Sequence, residues 1–291
     1  MSDRKYYSER VGRGGAGAAL SLNDLKRLLL SQYEQLETEG YFQEFLGFQC
    51  VDAGFVPGRL GTDLKAELLL TLRKPNIWPV GKTIESWSED DVFDMIEFLH
   101  DHISKPTKRH YHDYSQCGWH CSEFDGAEGK SEFREKINRF LRAYDTGFQL
   151  TENGEVVANP PTGFEPLFTA EIPHEDNANV TARVEAAIGK FRRHRSSIED
   201  RRDAVRDLAD VLEFLRPKLK DALVSKDEQD LFNIANNFGI RHHRDDQKIA
   251  YDKAIWLSWV FYYYLATIHA AVRLIEKSDI QQGALEGREQ H

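Results

Sequence analysis

Apolar residues recur at helical spacing through much of the chain, separated by short polar or proline-containing stretches. Ser21 with Asp24 three residues later resembles a capping box, and the apolar face that follows predicts a helix ending near Gly40. Ser88 and Asp91 repeat this signature and predict a second helix.

Other stretches of the first half are less regular. A loop-rich passage, 47–81, contains one short predicted helix, Leu64–Leu72. Residues 107–130 are rich in His, Cys, Tyr and Gly without a clear period, which predicts an irregular loop. An amphipathic pattern beginning at Ser131 predicts another helix, and Asn153-Gly154 between two short apolar runs predicts a β-hairpin.

The pattern becomes helical throughout from about residue 180. We expect helices at Thr181–Arg193, Asp200–Val224 and Asp227–Phe238. Pro217 should kink or split the second of these, because proline removes a backbone donor and clashes with the preceding turn.

A long apolar helix should begin at Lys253, with Asp252 as its N-cap. Apolar residues lie on nearly every side of it, so we expect a central, buried helix. It has about the length of a membrane span, but Trp, Tyr, Ser and Thr interrupt it and both ends are charged, which favours a core helix.

These elements predict a mainly α protein with two domains. We expect a flexible N-terminus at 1–19, a helical domain with a small β-hairpin at 20–160, a linker at 161–179, a helical bundle at 180–278 and a flexible tail at 279–291. Short connections within the bundle favour antiparallel neighbours.

Composition narrows the class of protein. The chain has 291 residues and a net charge of −10, which argues against coating by nucleic acid but allows a local basic patch. Three cysteines do not form a disulfide framework, which indicates a reducing compartment. No apolar signal segment is present at the N-terminus, so we expect a cytoplasmic protein without a membrane association.

A polar cluster precedes the long helix and is the first candidate for chemistry. It consists of Asn236, Asn237, Arg241, His242, His243, Arg244, Asp245, Asp246 and Asp252. A neutral imidazole can take the proton of a ribose 2′-hydroxyl, while a guanidinium or imidazolium stabilises the phosphorane oxygens. The alternative is a polar loop whose side chains cap two helices and pair with the acidic residues.

A second group, His110, His112, Cys117, His120 and Cys121, has residue types that zinc prefers. The spacing of Cys117, His120 and Cys121 matches no standard zinc motif, so we assign no metal ligand and expect no cofactor. A packed loop is favoured, and a cysteine nucleophile with a histidine base is a further alternative.

A basic run from Lys190 to Arg195 is the third candidate. Arg192 and Arg193 could contact phosphates without sequence preference. The alternative is a solvated helix end, where cations suit the negative end of the macrodipole.

Several segments of the first half resemble a known family. Val92–Pro106, Phe133–Leu141 and Gly147–Glu155 resemble the N-terminal domain of bacterial abortive-infection proteins of the AbiJ type. The resemblance implies an AbiJ-like helical domain that ends in a helix and a short hairpin, and a role against phage.

The second half is similar to the helical domains of the HEPN (higher eukaryote and prokaryote nucleotide-binding) superfamily. The similar segments are Asp203–Glu213, Ile240–His243 and the long aromatic helix. This similarity implies a HEPN-like bundle and a metal-independent RNase or RNA-binding toxin, working as a homodimer on RNA or nucleotide.

In this reading Arg241 holds the phosphate, His242 or His243 acts as general base or acid, and Asn236 and Asn237 orient them. The usual HEPN signature separates Arg and His by several residues, whereas Arg241 is followed at once by His242. The alternative is therefore a non-enzymatic interaction or regulatory subunit of a bacterial defence system, bound to a partner protein.

Overall fold

The chain is mainly helical with small antiparallel sheets, and it divides into two compact units, residues 1–159 and 160–291. The computed structural model describes residues 7–11, 19–161, 163–172, 176, 178–222 and 252–289. The division lies next to the start of the expected linker.

The first unit combines helices with three two-stranded antiparallel sheets. Its helices are α1 Tyr7–Arg10, α2 Leu22–Thr38, α3 Gln43–Leu46, α4 Leu64–Leu72, α5 Val80–Thr83, α6 Glu89–Asp101 and α7 Gly126–Leu141, with 3-10 turns at Ile84–Ser86 and Tyr114–Gln116. Its strands pair in sequence order: β1 Phe48–Cys50 with β2 Gly54–Val56, β3 Lys105–His112 with β4 Gly118–Asp125, and β5 Phe148–Leu150 with β6 Val156–Ala158.

Both predicted capping boxes are confirmed. Ser21 and Asp24 bond each other's backbone N–H at the start of α2, at 3.0 and 3.2 Å. Ser88 and Asp91 do the same at the start of α6, at 2.7 and 3.2 Å. These bonds satisfy backbone donors that a helix leaves without partners in its first turn.

The core of the first unit forms where the apolar faces of α2, α6 and α7 meet the strands. Its fully buried side chains include Leu25, Leu29, Leu36, Val92, Ile96, Leu99, Phe133 and Ile137. Most of the apolar positions at helical spacing are therefore removed from water, whereas Leu28 of α2 is 39% exposed.

The predicted hairpin around Asn153-Gly154 is also confirmed, as β5–β6. Gly154 has φ +84°, and a Cβ at this position would stand 2.5 Å from Nδ1 of the buried His100. Both the left-handed backbone and the close approach of His100 require glycine here.

The prediction of an irregular loop at 107–130 is wrong. This segment contains most of β3 and all of β4, which form a ribbon of eight-residue strands, and the first turn of α7. Helix α7 begins at Gly126 rather than at Ser131, because Asp125 caps it by accepting a 2.9 Å bond from Glu128 N–H.

The second unit is helical throughout its described residues. Its helices are α8 Glu165–Thr169, α9 Thr181–Arg192, α10 Ile198–Ala222 and α11 Lys253–Glu289. Pro217 lies inside α10, and α11 continues through Glu289 into the segment expected as a tail. The helix predicted at Asp227–Phe238 lies outside the described residues.

Helix α10 packs against both α9 and α11 and supplies the centre of the second core. Val205, Leu208 and Leu212 of α10 are buried together with Phe261 and Leu265 of α11. The rings of Phe191 and Phe261 stack with centroids 3.8 Å apart. The expected start of α11 is confirmed, because Asp252 Oδ1 accepts a 3.2 Å bond from Ile255 N–H.

Helix α11 is less enclosed than the sequence predicts. Half of its Ile255–Ser278 window is buried, while Ile255 is 67% and Trp259 43% exposed. By length and composition alone this window could cross a membrane, a test that the core helix of a soluble protein also passes.

Candidate metal centre

Two hairpins of the first unit bring together two thiols and two imidazoles. Cys50 ends β1, His112 ends β3, Cys117 lies in the β3–β4 turn and His120 lies on β4. We call these four side chains the Cys2His2 cluster. Cys50 is buried and the other three are half-buried.

The distances within the cluster suit one tetrahedral ion. The four ligand atoms all lie within 4.8 Å of one another. Cys117 Sγ is 3.2 Å from His120 Nε2, and Cys50 Sγ is 3.9 Å from His112 Nδ1. Ligands of a tetrahedral zinc ion stand about 3.3–3.8 Å apart, given the usual Zn–S and Zn–N bond lengths.

Backbone N–H groups of the β1–β2 turn point at both sulfur atoms. Hydrogen bonds from the N–H groups of Ala53 and Asp52 hold the pKa of Cys50 below its ordinary value. Val51 N–H donates to Cys117 Sγ at 3.4 Å. The two bonds to Cys50 favour its thiolate, which is the form that binds a metal.

The imidazole of His112 has a partner on each nitrogen. Its Nδ1 faces Cys50 within the cluster, and its Nε2 is 3.2 Å from Asp52 Oδ2 on the outside. A carboxylate behind a ligating histidine fixes the tautomer and the ring orientation, and this arrangement is usual around protein-bound zinc.

The second imidazole is kept neutral by its surroundings. Burial, together with the neighbouring His112 and His110, lowers the pKa of His120. Its ring packs against Phe48 at 4.6 Å between centroids. Neutral imidazole is the form that coordinates a metal ion.

The turn that carries Cys117 has an unusual backbone. Ser115 and Gln116 both have positive φ, at 49° and 56°. Non-glycine residues adopt this region at a cost of about 1 kcal/mol or more each. The conformation places Cys117 beside His120, so the strain coincides with the formation of the cluster.

Gln43 of α3 fixes the outer edge of the ribbon. Its Nε2 donates to Trp119 O at 2.7 Å, and its Oε1 accepts from Cys121 N–H at 2.8 Å. The side chain therefore replaces a neighbouring strand along part of β4 and holds His120 in place.

Sequence reasoning grouped His112, Cys117 and His120 with two residues, Cys121 and His110, that do not belong to the cluster. Cys121 lies beside Gly40, where burial raises the pKa of its thiol. His110 is exposed, with its ring 5.2 Å from that of His120. Cys50 was not included because it lies in another hairpin. The turn-forming sequence Val-Asp-Ala-Gly that follows it could have indicated that hairpin.

An open cavity of about 980 Å³ borders the same strand. Phe48 and Gln49 of β1 line it, together with Phe42 and Trp78. Its volume is in the range of small-molecule sites.

Most residues of the predicted polar site, Asn236, Asn237, Arg241, His242, His243 and Arg244, lie outside the described residues. Asp252 is described and caps α11. Arg192 is only 8% exposed and its guanidinium lies 5.2 Å from the centre of the Phe168 ring, which leaves little of it for a phosphate. Arg193 is exposed at the end of α9.

Comparisons of the chain with protein-family models, with curated proteins and with solved structures found no match.

Proposed function

We propose that the first unit binds a zinc ion through Cys50, His112, Cys117 and His120, and that the ion has a structural role. The observation that carries this proposal is the approach of four zinc-preferred ligand atoms to within 4.8 Å of one another, from two separate hairpins. Four protein ligands complete a tetrahedral shell and leave no position for a substrate, as in structural zinc sites.

The two hairpins bury too little surface to be stable by themselves. Among the residues of β1, β2, β3 and β4, only Cys50 is buried. A two-stranded hairpin with so little buried surface is marginally stable in water. An ion bound to both hairpins supplies the stability that their cores lack, because metal binding adds directly to folding.

Metal analysis of the purified chain tests this proposal. We expect about one zinc per chain by elemental analysis, and loss of that zinc in Cys117→Ser and in His112→Ala. Cys121→Ser and His110→Asn are matched controls on the same ribbon and should keep the ion. Zinc content that is absent from the wild type, or unchanged in the first pair, would contradict the proposal.

We further propose that the chain acts as an anti-phage protein of the abortive-infection type in the cytoplasm, with a HEPN-like second unit that cleaves or binds RNA. The residue types and the resemblance support this function. The Arg241–Arg244 cluster lies in the segment of the sequence before α11, which begins at Lys253, and the N-terminal end of a helix favours anions. Arg193 is exposed and offers a further phosphate contact.

Incubation of total RNA with the full chain in EDTA tests this function. We expect cleavage by the wild type and none by the Arg241→Ala/His243→Ala variant, because the route by general acid and base needs no metal. The Cys117→Ser variant lacks one of the proposed zinc ligands. Its cleavage of RNA without EDTA, compared with that of the wild type in EDTA, shows whether loss of zinc from the first unit affects the activity. Intact RNA under all conditions would count against an RNase.

The alternative is a non-enzymatic subunit that binds a second copy or a defence partner. It predicts that alanine at His242 and His243 lowers the melting temperature or changes the assembly state measured by light scattering. Unchanged melting with lost toxicity in cells would instead support the enzyme.

A further inference from the structure

The β3–β4 ribbon has two chemically different faces. Directly opposite residues share a face, and successive residues alternate between faces. His110 is opposite His120, and this face holds the Cys2His2 cluster. Tyr111 is opposite Trp119 and Arg109 is opposite Cys121, so Arg109, Tyr111 and Trp119 share the other side. We call these three side chains the aromatic face.

The aromatic face is an exposed row of flat groups in contact with one another. The rings of Tyr111 and Trp119 meet edge to face with centroids 5.2 Å apart. The guanidinium of Arg109 lies over the Trp119 ring, 4.4 Å from its centroid. Tyr111 is 48% and Trp119 40% exposed, which leaves ring surface open to a ligand.

The aromatic face also carries a cation, Arg109, without a counter-charge. Within the described part of the chain, Arg109 has no carboxylate partner. The neighbouring Lys108 is paired with Glu123 at 2.8 Å. Arg109 is therefore available to an anionic group of a ligand.

The ribbon is held in place from two directions. Gln43 bonds the edge of β4 at Trp119 and Cys121, and the Cys2His2 cluster ties the opposite face to β1. A surface that is already fixed loses little conformational entropy when it binds a ligand.

We propose that the aromatic face binds single-stranded nucleic acid by stacking unpaired bases on Tyr111 and Trp119, with Arg109 at a phosphate. Every base has a π-face, so stacking on aromatic rings accepts any sequence. The aromatic face offers one cation, Arg109, in a chain of net charge −10, which implies that stacking rather than charge provides most of the affinity. This binding site is separate from the proposed cluster before α11.

Fluorescence anisotropy tests the proposal with 5′-fluorescein-labelled 12-nucleotide RNA and DNA single strands of mixed sequence. The full chain is used zinc-loaded and in the Arg241→Ala/His243→Ala background, so that neither cleavage nor the second proposed RNA site contributes. We expect Tyr111→Ala and Trp119→Ala each to weaken binding by about tenfold or more. Phe55→Ala removes an aromatic side chain that is 37% exposed elsewhere in the unit, and should leave affinity unchanged.

Arg109→Gln is a milder variant that keeps both rings. For the parent protein we expect log K to fall with log salt with a slope of about −0.7, as for one phosphate contact on a single strand, and Arg109→Gln should abolish this slope. Zinc analysis of each variant shows that the ribbon is intact.

Equal binding by parent and aromatic variants, equal binding of a duplex of the same sequence, or no binding by the zinc-loaded parent would each overturn the proposal. A protein ligand captured through Tyr111 and Trp119, without any affinity for single strands, would do so as well. Absence of zinc from the parent would instead contradict the proposed metal centre.

Discussion

At the scale of single residues, Asp52 has the clearest role beside the Cys2His2 cluster. Its carboxylate lies 3.2 Å from His112 Nε2, and its backbone N–H bonds the thiol of Cys50. Only the first of these contacts depends on the side chain. Substitution of Asp52 therefore removes the contact that orients the imidazole of His112 but keeps the backbone hydrogen bond to the thiol of Cys50.

We expect Asp52→Ala to weaken zinc binding by about 10–100-fold, because loss of an outer carboxylate frees the ligating histidine to turn. Competition with a chelating dye measures the change. Asp113→Ala, on the same ribbon, is the control and should bind zinc as the wild type does. Equal affinities for Asp52→Ala and wild type would show that Asp52 does not orient His112.

A second prediction concerns Gly154, where a left-handed backbone and a close neighbour coincide. Gly154→Ala should destabilise the first unit by about 1–2 kcal/mol from the backbone alone, with an additional cost from the 2.5 Å approach to His100. Gly61→Ala separates the two effects, because Gly61 has φ +82° with nothing within 4 Å of a Cβ. Denaturant unfolding of both variants measures the difference, and equal losses would exclude a role for His100.

At the scale of elements, sequence reasoning succeeded where the signal is local. The capping boxes of α2 and α6 and the Asn-Gly hairpin each depend on residues a few positions apart. The β3–β4 ribbon escaped prediction because both of its faces are largely exposed, so apolar residues do not alternate along it. Its contacts with Gln43 and with Cys50 join parts of the chain that are distant in sequence.

The Cys2His2 cluster, like the ribbon, could be predicted only in the part that depends on residues close together in sequence. His112, Cys117 and His120 are residue types that zinc prefers, but their spacing matches no standard motif, so no metal ligand was assigned to them. The fourth member of the cluster, Cys50, lies 62 positions before His112. Alternation along a strand would have separated His112 and His120 from Cys121, had the segment been recognised as a ribbon.

Helix α6 provides a prediction about pH. Lys74 Nζ lies 2.7 Å from Asp91 and 2.5 Å from Asp94. Burial acts to raise the pKa of Asp91, but hydrogen bonds from Lys74 and Ser88 outweigh it and hold that pKa below its ordinary value. A carboxylate whose pKa is lower in the folded state stabilises the fold above its unfolded-state pKa, and this contribution is lost as the pH falls through the folded value.

The free energy of unfolding of the first unit should therefore fall below about pH 4 more steeply in the wild type than in Asp91→Asn. Denaturant titrations at a series of acidic pH values measure this difference. Comparison at each pH cancels any loss of metal that both proteins share. Parallel curves for the two proteins would contradict the assignment.

At the scale of the whole molecule, each unit has its own hydrophobic core. One core is built around α2, α6 and α7, and the other around α9, α10 and α11. The Cys2His2 cluster belongs only to the first unit. We expect two thermal transitions in calorimetry, because separate cores unfold as separate cooperative units.

Removal of zinc with a strong chelator should lower one of these transitions by several degrees or more and leave the other in place. Cys117→Ser should reproduce the lowered transition without chelator, and Cys121→Ser should not. A chelator that moves neither transition would show that the ion does not stabilise the first unit, and one that moves both would contradict a role confined to that unit.

Strand β1 is only three residues long, yet it serves two neighbours at once: Cys50 belongs to the Cys2His2 cluster, while Phe48 and Gln49 form part of the cavity wall. A shift of this strand would change the geometry of both the Cys2His2 cluster and the cavity. Thermodynamic linkage then requires reciprocity. If a small molecule in the cavity changed the affinity of the cluster for the ion by some factor, the ion would change the affinity of the cavity for the small molecule by the same factor. If the proposed ion binds and the cavity takes up a small molecule, the supply of zinc would set how readily that molecule binds.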